Sequence, residues 1–210
     1  MTEVQHRILQ TIYAQYPNAE CELLYQTDVQ LAIAVILSAQ TTDKLVNTVT
    51  PVLFTRFPTL KDLALADIRE IEQTIQRIGL YRTKAKNIKA FAQALLENYD
   101  GNLPHEHDRL TQLPGVGQKT ANVIQAVAFR IPALAVDTHV HRVALRCGLV
   151  PLKSNVFQTE ERLKKIVPKE EWIMAHHRML FFGRYHCTAK NPHCNECELS
   201  DVCRFRKQKK

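Results

Sequence analysis

The sequence predicts an all-α protein, on three observations. Apolar residues recur at helical spacing through most of the chain, as in Val4, Ile8 and Ile12, or Ile68, Ile71, Ile75 and Ile78. No stretch alternates apolar and polar residues for long enough to read as a strand. Capping residues, glycines and prolines fall at the ends of the periodic runs, where helices start and stop. At 210 residues, 45% hydrophobic and 23% charged, the chain has ordinary globular composition and enough length to bury a core.

In chain order, Thr2 caps a first helix with Val4, Ile8 and Ile12 inward, ending before Pro17. Thr27 or Asp28 starts a second over Leu31–Leu37, apolar on most sides and so central. Asp43 caps a third towards Phe57, which Pro51 bends or divides. The isoleucine stripe from Ile68 stops at Gly79. The next helix, Arg82 to Tyr99, turns Ile88, Phe91 or Ala92, and Leu95 inward, with Gly101 beyond its end. A short helix with Leu110 and Leu113 leads into a glycine hairpin, and a longer one leaves it, ending near Arg130 before Pro132. Helices over Val140 to Gly148, Asn155 to Ile166 and Trp172 to Phe182 complete the set. The basic end is expected to be disordered.

Charge and cysteine usage narrow the class. The net charge is +7, but Arg204, Arg206, Lys207, Lys209 and Lys210 supply five of those charges, leaving +2 for residues 1–203. A local cluster, Arg77, Arg82, Lys84, Lys86 and Lys89 with no acid between them, reads either as a nucleic-acid footprint or as a solvated helix face. The most apolar run, Leu31–Leu37, is too short to span a bilayer, and no basic segment followed by an apolar one opens the chain, so a cytosolic protein is expected. Four of the six cysteines, Cys187, Cys194, Cys197 and Cys203, share a 17-residue window, which argues for metal or cluster ligation over disulfides. Zinc modules pair two short Cys–Cys spacings, and here only Cys194-x2-Cys197 is short; four thiolates also hold a [4Fe–4S] cluster. Cys21 and Cys147 stand apart and read as buried small hydrophobes.

The stretch Leu113-Pro-Gly-Val-Gly-Gln-Lys-Thr-Ala121 holds two of the chain's six glycines within three positions. Val116, Thr120, Val123 and Val127 then fall on one helical face. A glycine hairpin that opens a helix presents free N–H groups and is a ready anion site; it is equally an ordinary turn between helices. Lys119 sits in the first turn, where the positive end of the helix dipole favours the neutral, nucleophilic amine. The alternative is a lysine that contacts phosphate. From Lys119 the helix travels about 18 Å, and residues 131–136, read as extended, span about 20 Å back. That return would bring Asp137, an N-cap for the next helix, to the level of Lys119.

Five elements, in order across essentially the whole chain, resemble one family: Leu37-Ser-Ala-Gln-Thr-Thr-Asp43, Ile78-Gly-Leu-Tyr81 with Lys84-Ala-Lys86, the 113–121 hairpin, Val136-Asp-Thr-His139, and Cys-x6-Cys-x2-Cys-x5-Cys from Cys187 to Cys203. The chain is similar to endonuclease III, a DNA glycosylase and abasic-site lyase of the helix-hairpin-helix superfamily. The resemblance implies a two-lobed all-α fold with DNA in the cleft: residues 21–133 as a six-helix barrel lobe, and 1–20 with 134–210 as a lobe around a [4Fe–4S] cluster, 186–204 forming the cluster loop and 205–210 a basic tail.

It also implies roles. Lys119 would attack C1′ of a damaged nucleotide, and Asp137 would stabilise the cationic sugar. Backbone N–H groups of Gly115, Val116 and Gly117 would hold a DNA phosphate, and His139 would contact DNA. The nucleotide must be flipped out to react; Gln40 would fill the gap and Leu80 would wedge the opposite strand. Cys187, Cys194, Cys197 and Cys203 would hold the cluster, a clasp for the C-terminal element. The partner would be double-stranded DNA carrying oxidised pyrimidines or abasic sites, bound by a monomer with no membrane association, at the nucleoid in a bacterium. The related adenine-mispair glycosylases lack the lysine and carry a Glu where this chain has Val35. A non-catalytic binding module would need no Lys119–Asp137 pair, and an electron-transfer protein would need no hairpin.

Overall fold

The computed structural model describes residues 1–208; Lys209 and Lys210 of the basic tail lie outside the described residues. Among the described residues every regular element is helical, as the periodicity predicts, and no helix is long and apolar enough to cross a membrane. The helices are α1 (Glu3–Gln15), α2 (Asp28–Ser38), α3 (Asp43–Arg56), α4 (Leu60–Leu65), α5 (Ile68–Ile75), α6 (Tyr81–Tyr99), α7 (His107–Thr111), α8 (Gln118–Ala128), α9 (Thr138–Cys147), α10 (Val156–Ile166), α11 (Trp172–Phe181) and α12 (Arg204–Lys207). The chain divides into two compact units: Glu22–Phe129, and Met1–Cys21 together with Arg130–Lys210.

The central unit, Glu22–Phe129, is built on α2. Thr27 caps it, and every residue from Leu31 to Leu37 is buried. Thr42, not Asp43, caps α3, which runs unbroken through Pro51; loss of one ladder bond does not divide a helix whose Val46, Val49 and Leu53 are buried. Helix α4 is an addition to the sequence reading. Its signal was present, because Thr59 and Asp62 form a reciprocal capping box. Helix α6 buries Ile88, Phe91, Ala92 and Leu95 completely and ends in left-handed Asp100 and Gly101.

The other unit joins the two chain ends. Thr2 and Gln5 close a capping box on α1. Val4 is exposed at 50%, and Leu9 and Tyr13 are buried beside Ile8 and Ile12 instead. Residues spaced strictly by four drift about 40° around a helix at each step, so Val4 is carried off the core face. These side chains pack into one core with Val140, Val143, Leu163, Met179 and Phe182, and Leu199 joins the same core from within the cysteine segment. Helix α11 widens into a π-helical turn, Phe182–His186. The end expected to be a disordered tail is helical over Arg204–Lys207: Arg204 donates to the Val150 carbonyl at 3.0 Å and Arg206 to Asn195 Oδ1 at 3.0 Å. Cys147 is buried as expected, whereas Cys21 is only half-buried.

Candidate active site and nucleic-acid interface

The glycine hairpin forms between α7 and α8. Val116 N–H closes the turn on the Leu113 carbonyl at 3.1 Å, and the Leu113 and Val116 side chains are buried. Val116 therefore offers no side chain to a ligand, and its N–H, expected to hold a phosphate, is already engaged in closing the turn. Gly115 has φ +79°, and a Cβ there would meet Asn87 Cβ at 3.0 Å and Ile36 Cγ2 at 3.1 Å. Both conformation and space require glycine. Gly117 differs: its φ is −93°, and an added Cβ meets nothing within 4 Å. It is the N-cap of α8 and makes no side-chain cap bond. A Ser or Asp there would stabilise the helix better; glycine leaves the N-terminus open to an incoming anion.

Lys119 lies in the first turn of α8, exposed. The helix turns Ala121, Ile124 and Val127 into the core, while Thr120 and Val123, expected inward, are only half-buried. The helix ends at Ala128, slightly before the expected Arg130, which takes φ +53° instead.

Gln40 and Leu80 share an unusual backbone. Both are left-handed non-glycines, with φ +54° and +59°, a state that costs about 1 kcal/mol or more each. Leu80 is also 62% exposed. A leucine that is both strained and solvated is not serving the core. Gln40 follows the C-terminus of α2 and Leu80 is the N-cap of α6. The Gln40 carbonyl lies 3.9 Å from an ideal Cβ on Gly79, so the two loops are neighbours. Ile36 of α2 and Asn87 of α6 both pack on Gly115, so the helices that carry Gln40 and Leu80 also support the hairpin.

The basic cluster is not one surface. Arg77, Arg82 and Lys86 are exposed, but Lys84 is 4% exposed, and its ammonium donates to the carbonyls of Leu37 and Ala39 and to Thr41 Oγ1. Burial lowers its pKa. Lys89 donates to the Ala66 carbonyl at 2.7 Å.

Asp137 belongs to the other unit. It caps α9, its Oδ1 accepting from His139 N at 2.9 Å and Val140 N at 2.8 Å. The non-helical run before it is pinned by the buried His176, whose Nδ1 is 2.7 Å from the Ala135 carbonyl. His139 is half-buried, and burial lowers its pKa while Asp137 pulls the other way. Arg142 Nη2 bridges His139 Nδ1 at 3.1 Å and the Gly183 carbonyl at 2.7 Å. A Cβ on Gly183 would lie 2.9 Å from His139 Cβ, so that glycine permits the close approach of α9 and the π-helical turn. Arg142, His176 and Gly183 were not singled out from the sequence, since nothing local marks their distant partners.

None of the six cysteines is in a disulfide. Arg146 contacts two of the C-terminal four, Cys187 and Cys203. It reaches Cys187 Sγ at 3.6 Å and donates to the carbonyls of Thr188 at 2.6 Å and Ala189 at 2.9 Å, and its guanidinium stacks 4.3 Å above Phe205. Burial raises the Cys187 thiol pKa, and Arg146 opposes that shift. Among the described residues no three His, Cys, Asp or Glu side chains converge as ligands of a single ion. Four cysteines outside any disulfide, with a cationic donor aimed at one sulfur, fit an iron–sulfur cluster, whose anionic sulfurs such donors stabilise. The Cys203 thiol donates to the Arg146 carbonyl at 3.3 Å, a bond that ligation to iron would replace.

Residues 33–169 match the model of the HhH-GPD superfamily base excision DNA repair proteins, and residues 187–203 match the iron–sulfur binding domain of endonuclease III. Endonuclease III of Bacillus subtilis is 49% identical, over 93% of this chain and 90% of its own length. That of Escherichia coli K12 is 40% identical, over 96% and 95%. A trapped endonuclease III–DNA covalent intermediate superposes with a TM-score of 0.96 at 47% identity, covering 100% of this chain and 99% of that one. A thermostable thymine-DNA glycosylase, at 22% identity and TM-score 0.87, shares the fold. The cofactor is a [4Fe–4S] cluster. On sequence, fold and the hairpin's geometry alike, the chain belongs to the helix-hairpin-helix superfamily of base excision DNA repair proteins, and within it to the endonuclease III family.

Proposed function

We propose that this protein is a bifunctional base-excision repair enzyme that removes oxidised pyrimidines of the thymine glycol type and cleaves the strand 3′ to the resulting abasic site. The observation that carries the reading is the exposed amine of Lys119 in the first turn behind the open Gly117 N-terminus. A relative at 47% identity has been captured covalently joined to DNA, and a primary amine is the group suited to that bond.

Lys119 Nζ attacks C1′, and the C1′–N bond breaks as the base leaves. The amine loses its proton and the sugar ring opens to a Schiff base. This acidifies C2′–H; loss of that proton expels the 3′ phosphate, and water then releases Lys119. Asp137 stabilises the positive charge that develops on the sugar. Gly115 and Gly117 hold a phosphate through their N–H groups without sequence preference, while the Val116 N–H closes the turn that presents them. Gln40 fills the space left by the flipped nucleotide, Leu80 wedges the opposite strand, and His139 contacts the DNA. Cys187, Cys194, Cys197 and Cys203 ligate the cluster, which clasps the C-terminal segment. The enzyme acts as a monomer in the cytoplasm, at the nucleoid in a bacterium.

Borohydride added during reaction with a thymine glycol duplex tests the assignment. Wild type is expected to be trapped covalently on DNA and Lys119→Ala is not; equal trapping of the two would remove Lys119 as the nucleophile.

A further inference from the structure

Lys84 lies on the apolar stripe of α6, in register with Ile88, Phe91 and Leu95. A leucine or methionine would complete that stripe without the expense of desolvating an ammonium. The ammonium has three N–H donors and meets three acceptors: the Leu37 carbonyl at 2.8 Å, the Ala39 carbonyl at 2.5 Å and Thr41 Oγ1 at 2.9 Å. No carboxylate pairs with it among the described ion pairs. Its acceptors are a carbonyl in the last turn of α2 and the residues on either side of Gln40, where a cation also suits the helix dipole.

A strained conformation persists only when its surroundings over-determine it. Around left-handed Gln40, the Thr41 N–H bonds back to the Ser38 carbonyl at 3.0 Å, and Lys84 holds both flanking residues. The same residue reaches the second loop, because its backbone N–H donates to the Leu80 carbonyl at 3.0 Å. One turn further along α6, Asn87 packs on Gly115. Lys84 therefore joins the two strained loops directly.

We propose that Lys84 is a positioning residue for nucleotide flipping: its buried ammonium clamps residues 37–41 and holds Gln40 ready to enter the duplex. This rests on the reading of Gln40 given above. Lys84 touches neither DNA nor the reacting sugar; it acts through Gln40.

The test is a double-variant cycle on single-turnover excision of thymine glycol from duplex DNA. Lys84→Met, near-isosteric and unable to donate, is expected to slow excision about tenfold or more, as expected for lost charge-assisted bonds. Gln40→Ala slows it as well, and the double variant is no slower than Gln40→Ala alone. In the DNA-free protein, Lys84→Met speeds amide hydrogen exchange across residues 38–42 and leaves the α8 amides unchanged. If Lys84→Met does not fold, Thr41→Val, which removes one of the three acceptors, takes its place with the same non-additivity expected. Multiplicative effects of the two substitutions, or unchanged exchange across 38–42, overturn the proposal while leaving the Gln40 reading intact. If Gln40→Ala excises at the wild-type rate, the reading of Gln40 is wrong and the Lys84 proposal falls with it.

Discussion

Arg146 of α9 points its guanidinium at the sulfur of Cys187, 3.6 Å away. Its other bonds fix the carbonyls of Thr188 and Ala189, so one side chain sets the path by which the chain enters the cluster segment. Charge-assisted hydrogen bonds of this kind contribute roughly 1.5–3 kcal/mol each. Arg146→Met keeps the aliphatic stem and removes the donors. The cluster in that variant should bleach at least about tenfold faster in an iron chelator, read as loss of its visible absorbance. Bleaching at the wild-type rate would mean the bonds are incidental to cluster retention.

Asp137 has two separable contributions. As an N-cap it accepts from His139 and Val140, and Asn caps about as well as Asp. Asp137→Asn should therefore melt within about 1 kcal/mol of wild type and bind lesion DNA with similar affinity. Its single-turnover base release should fall about a hundredfold if, as proposed, the lost charge stabilises the cationic sugar. Excision at the wild-type rate would leave Asp137 as a cap and nothing more.

The two hairpin glycines should separate stability from binding. Gly115→Ala places a methyl group 3.0 Å from Asn87 Cβ on a backbone with φ +79°, and should destabilise the fold by about 1–3 kcal/mol. Gly117→Ala meets open space at φ −93° and should cost less than about 1 kcal/mol, yet weaken binding to undamaged duplex as well as to lesions. Gly117→Ala keeps the N–H and adds only a methyl group, so unaltered DNA affinity would mean that no phosphate approaches the Gly117 Cα closely.

His177 is expected to make the fold acid-sensitive. Burial, then the neighbouring His176, Arg130 and Arg184, pull its pKa from 6.5 down to about 3, and its Nδ1 has no hydrogen-bond partner among the described residues. The folded ring stays neutral where the unfolded one protonates. Its stabilising contribution is whole above pH 6.5 and is lost as pH falls towards 3, by at most about 1.4 kcal/mol per pH unit. Melting temperatures of wild type and His177→Phe, compared at pH 7.5 and pH 5, check this: the variant should lose less on acidification. Equal losses would place the sensitivity elsewhere.

Much of this architecture was legible in the sequence because its signals are local. Thr2, Thr27 and Asn155 announce their helices by capping them, and the Thr59–Asp62 box announces α4 in the same way to a reader who weighs caps above periodicity. Lys84 shows where charge misleads. Grouped with its basic neighbours it suggests a surface, but its spacing to Ile88, Phe91 and Leu95 places it on the buried stripe. The residues left unread owe their positions to partners far along the chain: Arg142 to Gly183, Arg146 to Cys187, His176 to Ala135. No window short enough to show a period contains both members of such a pair.

The joining of Met1–Cys21 to Arg130–Lys210 has a consequence for biosynthesis. Helix α1 leaves the ribosome first, yet it packs with α11, and Arg7 pairs with Asp201, 194 residues later. Residues 22–129 form a contiguous compact unit and can complete during translation. The first helix must wait with its apolar face uncovered until almost the last codon is read. A chain that stalls before Cys203 carries Lys119 but lacks the last of the four clustered cysteines.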